Sequence, residues 1–140
     1  MLILTDKLWL DNHIIKVHSS TSEDWKKVES RILTTCVLEQ IKSHLTEVKE
    51  NGSKRMVLII DLSKGCFPPW FEALRIAHYS HTNMKKLIVE ALDFTIIYVT
   101  TPNQETWINR LLSLYSPARP VHIVHTKKEI KEIIMKNEKN

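Results

Sequence analysis

Glycine is nearly absent from this chain: Gly52 and Gly65 are the only two among 140 residues. A P-loop and a dinucleotide-binding fingerprint both need several glycines at fixed spacing, because backbone amides must close on a phosphate with no Cβ in the way. Neither can be built here. Cysteine is as scarce, and Cys36 and Cys66 are too few for a disulfide framework, so both are read as reduced core or loop thiols. No run approaches the ~18–20 uninterrupted apolar residues of a membrane span. The opening MLILTDKLWLDNH meets charge too early for a secretory signal, and an intracellular, cytoplasmic protein is expected. Internal repeats and low-complexity blocks are missing as well.

What is present is the composition of a folded domain. Apolar residues make up 43% and charged residues 26% of the chain, values of an ordinary globular protein. A chain of this size buries roughly two thirds of its unfolded surface. One domain over residues 1–140 is expected, with its core at about 8–134 and a polar tail at 135–140. The formal net charge is +4 with neutral histidines, which permits an anionic partner without requiring one. Both signs interleave in KKVE, KEIKE and EVKENGSKR, the pattern of a solvated face; a nucleic-acid footprint would cluster on one element.

Periodicity and punctuation then mark the elements. KLWLDNHIIKVH alternates Leu8 and Leu10 against Trp9, turns at Asp11 and Asn12, and resumes with Ile14, Ile15 and Val17, which reads as a hairpin. Ser20 with Glu23 forms a capping box before a long helix whose apolar stripe includes Trp25, Val28, Ile32, Leu33, Cys36, Val37, Leu38, Ile41, Leu45 and Val48. Running from Glu23 to Glu50 it would be about 40 Å long, so a bend or an early end is expected. Gly52 is a plausible terminator. MVLIID is short and continuously apolar, the mark of a central strand covered on both faces.

A second helix is expected from near Pro68, with Trp70, Leu74 and Ala77 on one face. FTIIYVT is the next strand. TPNQETWINRLLSLY supplies Thr101 as cap, Pro102 at the first helical position and Gln104 at the third, then Trp107, Leu111 and Tyr115 on one stripe. VHIVH is the last strand, and Thr126 with Glu129 caps a final helix through Ile130, Ile133 and Ile134. The expected fold class is α/β in the order ββαβαβαβα: a mixed, mostly parallel five-stranded sheet with helices on its faces.

This order resembles the STAS (anti-anti-sigma-like) domain, and more closely its single-domain branch related to CRAL-TRIO lipid-binding domains. The likeness runs from about Leu8 to Ile134. It is carried by the hairpin before STSEDWKKV, by VLIIDLS, and by FTIIYVTTP followed by TWINRLLSLYSPARPVHIVHTKKEI. The resemblance implies a non-catalytic module that binds proteins, nucleotides or lipids. Classical members place a phosphorylatable serine at the start of the helix after this strand. Lys64 to Trp70 has no hydroxyl, and Ser63 belongs to the strand's end, which points to constitutive binding. The extra helices that enclose a ligand in lipid-transfer relatives have no counterpart in a chain this short.

Ligands of open α/β sheets bind at the carboxyl ends of the strands, which makes Asp61, Thr100, Thr101, His125 and Thr126 candidates. Asp61 with Lys127 is also the pattern of a phospho-receiver, but LTDK and HSST lack the acidic pair that a divalent cation requires. The simpler role for Asp61 is to cap its own loop. The helix starts at Thr101 and Thr126 have the free amides that generically favour phosphate. His122 and His125 fall on opposite faces of a strand and cannot share a metal; His78 and His81 are helical neighbours without evident further ligands. Neither Ser63 nor Cys66 sits in a nucleophile elbow. Trp107 is read as core, whereas Trp70, placed by the proline pair near the ligand edge, is a binding candidate.

The expected partner-binding surface is therefore Asp61, Ser63, Lys64, Phe67, Trp70, Thr100, Thr101, His125 and Thr126, with no catalytic residue, metal or cofactor. The expected function is a binding or regulatory module with a protein partner. A small carrier or sensor of an apolar or phospholipid-like ligand, in contact with lipid or an anionic membrane surface, is the alternative. Weak nucleic-acid binding ranks last, and a homodimer stays open.

Overall fold

The structure, a computed structural model, describes residues 2–5, 14–18, 30–51, 55–63 and 70–138. Its elements are β1 (Leu2–Thr5), β2 (Ile14–His18), α1 (Ser30–Asn51), β3 (Met56–Asp61), α2 (Trp70–Thr82), α3 (Lys85–Ala91), β4 (Leu92–Tyr98), α4 (Pro102–Leu114), β5 (Val121–Val124) and α5 (Lys127–Glu138). The fold is α/β, with helices packed on a small parallel sheet. Strand β3 is buried along nearly its whole length, as a strand covered on both faces must be.

Strands β3, β4 and β5 run parallel, with Leu58 opposite Thr95 and Thr95 opposite Val121. Strand β2 lies parallel beside β3, and β1 antiparallel beside β2, so spatial order follows chain order. Consecutive parallel neighbours joined by crossovers of one hand place every connecting helix on the same face of the sheet. The packing has this form. Met56, Leu58 and Ile60 of β3 meet Val37, Leu38 and Leu45 of α1, Ile76 of α2 and Ile88 of α3. Farther along the same face, Ile97, Val121 and Ile123 meet Ile108 and Leu112 of α4. Helix α5 follows β5 and covers the opposite face, where Ile130 and Ile134 pack on Val57, Ile59, Phe94, Ile96 and Val124.

Several elements differ from the sequence expectation. The strand that pairs with Ile14–His18 is Leu2–Thr5, while the expected strand at Leu8–Leu10 and its turn at Asp11 and Asn12 lie outside the described residues. So do the Ser20–Glu23 box and Gly52. Between β3 and β4 the described residues form two helices where the sequence reading expects one. Thr82 Oγ1 donates to His78 O at 2.9 Å and Asn83 N to Tyr79 O at 2.8 Å, which closes α2. Met84, 2% exposed, plugs the corner into the core, and Ile88 N donates back to its carbonyl at 2.8 Å to begin α3. Cys36 and Ile32, placed on the apolar stripe of α1 by spacing, are both exposed. The expected polar tail is helical as far as Glu138.

Helix α4 starts as its sequence dictates. Gln104 N donates to Thr101 Oγ1 at 3.2 Å, Thr101 N donates to Gln104 Oε1 at 3.2 Å, and Pro102 occupies the first turn.

Candidate functional site

The carboxyl edge of the sheet gathers Asp61, Ser63, Thr100, Thr101, His125 and Thr126 of the residues that the sequence singled out, and hydrogen bonds hold each of them there. Asp61, buried at the end of β3, accepts from Ser63 N at 2.9 Å and from Ser63 Oγ at 2.5 Å; this is the loop-capping role of a short acidic side chain. Gln104 is the central clasp. Its Oε1 accepts from Thr100 N at 2.7 Å and from Thr101 N at 3.2 Å, while its Nε2 donates to Leu62 O at 2.8 Å. The clasp therefore joins the ends of β3 and β4 to the start of α4.

One residue farther on, Glu105 Oε2 lies 2.8 Å from His125 Nε2 beyond the end of β5. Glu129 closes the row. Its Oε1 accepts from His125 N at 3.2 Å and from Thr126 Oγ1 at 3.1 Å, and its own N donates to Thr126 Oγ1 at 3.2 Å. The hydrogen bond with Glu105 raises the His125 pKa above its ordinary value, helped by the negative charges of Glu105 and Glu129 and opposed by partial desolvation.

Trp70 stands apart from this row. Its ring meets Trp107 edge-on, centroids 5.6 Å apart, so half-buried Trp70 is held against α4, and Trp107 packs on the core below it. Lys64 and Phe67 lie outside the described residues. His122 meets Phe94 edge-on at 5.6 Å on the α5 face, away from His125. Among the described residues no group of three metal-ligating side chains comes together, and no helix is long and apolar enough to cross a membrane.

A cavity lies elsewhere, between the sheet and helices α1 to α4, with a volume of about 270 Å³. Its floor is Leu58, Thr95, Ile97 and Val121, and its walls include Ile41 of α1, Ile76 of α2, Ile88 of α3 and Leu111 of α4. The lining is almost wholly apolar. Its solvent-exposed members, His81, Lys85 and the segment 116–118, define the mouth. This mouth is at the amino end of the strands, opposite the row from Asp61 to Thr126.

Cationic and phenolic groups rim the mouth. Arg119 is anchored by Nε, which donates to Leu92 O and Asp93 O, each at 3.1 Å, and its Nη2 lies 3.6 Å from Asp93 Oδ1. Tyr115 lies 6.1 Å, ring to ring, from both His78 and His81. Lys85, one turn beyond His81, has no ion pair among the described residues. No protein-family model, curated protein or solved structure matches the chain.

The chemistry must accordingly be read from the site itself. Sequence reasoning missed the cavity because its lining comes from four helices and three strands, and no local spacing brings such residues together. Two traces were present. His81 and Lys85 stand four residues apart at a helix end, and Thr95 interrupts the apolar run from Phe94 to Ile97.

Proposed function

We propose that this protein is a small carrier or sensor of an apolar or phospholipid-like ligand, held in the cavity between the sheet and helices α1 to α4. The observation that carries this reading is the cavity: an apolar chamber of about 270 Å³ with polar groups confined mainly to its mouth. Ligand sites are of this kind, and their usual range begins at about 300 Å³, so the chamber suits one acyl chain or a compact apolar molecule. Lys85, His81 and Arg119 stand where the polar end of such a molecule would emerge. The chain-order sheet also supports the STAS-like arrangement, enlarged by α3, that the sequence resembles. In this reading the hydrogen-bonded row from Asp61 to Thr126 holds the carboxyl edge together and performs no chemistry.

The test is a titration of the purified protein with the neutral fluorophore N-phenylnaphthylamine, beside native mass spectrometry of the protein as isolated. Saturable binding is expected at a single site, weakened at least about fivefold by Ala77→Leu, which narrows the cavity while circular dichroism stays unchanged. Absence of binding, or binding indifferent to Ala77→Leu, refutes the carrier. A protein-binding module is then the standing reading, favoured by Phe71, 84% exposed beside Trp70, and partner capture unaltered by Trp70→Ala would remove that one too.

A further inference from the structure

Strand alternation along β4 sends Phe94 and Ile96 to the α5 face and Thr95 and Ile97 to the cavity. Thr95 is therefore a hydroxyl on an otherwise hydrocarbon floor. It is 8% exposed. Its backbone N–H donates to Pro120 O at 2.9 Å, but its hydroxyl makes no hydrogen bond among the described residues. The neighbours in register, Leu58 on one side and Val121 on the other, have no polar side-chain atom to offer.

Buried hydroxyls are ordinarily hydrogen-bonded, and one without a partner is destabilising. Valine has the same β-branched shape and equal strand preference without that cost. The hydroxyl is thus explained by something that enters the cavity. Its chemistry limits what that is. One hydroxyl cannot replace the hydration of an ionised group, so a charge on this floor would remain largely uncompensated. A neutral oxygen needs only the single hydrogen bond that Thr95 can make.

We infer that the ligand carries one neutral oxygen, a hydroxyl or a carbonyl, which hydrogen-bonds Thr95 Oγ1 on the cavity floor. The ligand class is that of fatty alcohols, esters and other oxygenated apolar molecules; any anionic group stays at the mouth beside Lys85 and Arg119. This rests on the carrier reading and names the ligand that the same cavity selects.

The experiment is competition against N-phenylnaphthylamine by decanol, methyl decanoate, decane and decanoate, on the wild type, Thr95→Val and Thr95→Ser. The wild type is expected to prefer decanol and methyl decanoate to decane by about tenfold. Thr95→Val abolishes the preference by weakening the oxygenated probes alone, and it raises the melting temperature of the unliganded protein. Thr95→Ser retains the hydroxyl and the preference. A preference equal in wild type and Thr95→Val overturns the inference while the carrier reading stands, as it would for a hydroxyl that meets only water. If decanoate loses as much affinity as decanol on Thr95→Val, the restriction to neutral oxygens is wrong. If neither the fluorophore nor any competitor binds, the carrier reading itself fails and takes this inference with it.

Discussion

His125 shows how little of a residue's role its type reveals. A histidine just beyond a strand at the ligand edge reads as a binding group, yet its ring lies 2.8 Å from Glu105, and its amide is held by Glu129. Because the hydrogen bond to Glu105 raises the His125 pKa, the folded state binds the proton more tightly than the unfolded chain does. The resulting stability is present below the unfolded pKa of histidine and is lost as pH rises through the folded one. Glu105→Ala should therefore lower the His125 pKa in an NMR titration. The stability gap between wild type and variant, followed by urea unfolding, should be present above the carboxylate range and should shrink as pH climbs through the folded value. A His125 titration that ignores Glu105→Ala would show that the pair does not form in solution. Glu105 was not legible as the partner, since twenty residues separate it from His125 and the pairing exists only once β5 lies beside β4.

Between elements, the contact of α1 with α2 rests on a polar group that spacing alone hides. Thr34 is fully buried. Its Oγ1 donates to Glu72 Oε2 at 2.8 Å and accepts from Arg75 Nη2. Arg75 also donates through Nε to the same Glu72 oxygen at 2.9 Å, and through Nη2 to Thr35 Oγ1 at 3.2 Å. Removing the guanidinium strips partners from a half-buried carboxylate and a buried hydroxyl together. Arg75→Ala is expected to cost about 1–3 kcal/mol in urea unfolding, and Arg75→Lys to recover only part, because an ammonium lacks the planar fork that spans both helices. A stability within error of wild type would mean that the network contributes nothing. Elements were legible where their signals are local: Thr101, Pro102 and Gln104 specify the start of α4 within four residues. Helix α3 was not, because it passes straight from Ala91 into strand residue Leu92, and the stretch from Leu87 to Ile97 has no glycine or proline to mark the change of period, while Asp93, its one turn-type residue, lies inside the strand.

At the scale of the molecule the sheet separates two cores with different duties. Helices α1 to α4 share one face with the cavity, while α5 seals the other with Ile130 and Ile134. The α/β class was readable because strands alternating with helices leave few arrangements; the cavity was not, because voids belong to packing and have no sequence period. The division has a measurable consequence. Ile134, 3% exposed, is cut off from the cavity by the sheet, and truncation there leaves a void on the α5 face alone. Ile134→Ala is expected to destabilise the protein by about 2–5 kcal/mol. Perturbations on separate faces with no shared partner add, so the dissociation constant for N-phenylnaphthylamine should remain within about twofold of wild type. Probe at a hundredfold its dissociation constant should then restore about 2.7 kcal/mol to either protein by mass action. Urea unfolding with and without probe, on wild type and Ile134→Ala, measures both quantities. Equal increments mean that α5 supports the fold without shaping the cavity, whereas a probe affinity that weakens in step with stability means that the sheet transmits the packing of one face to the other.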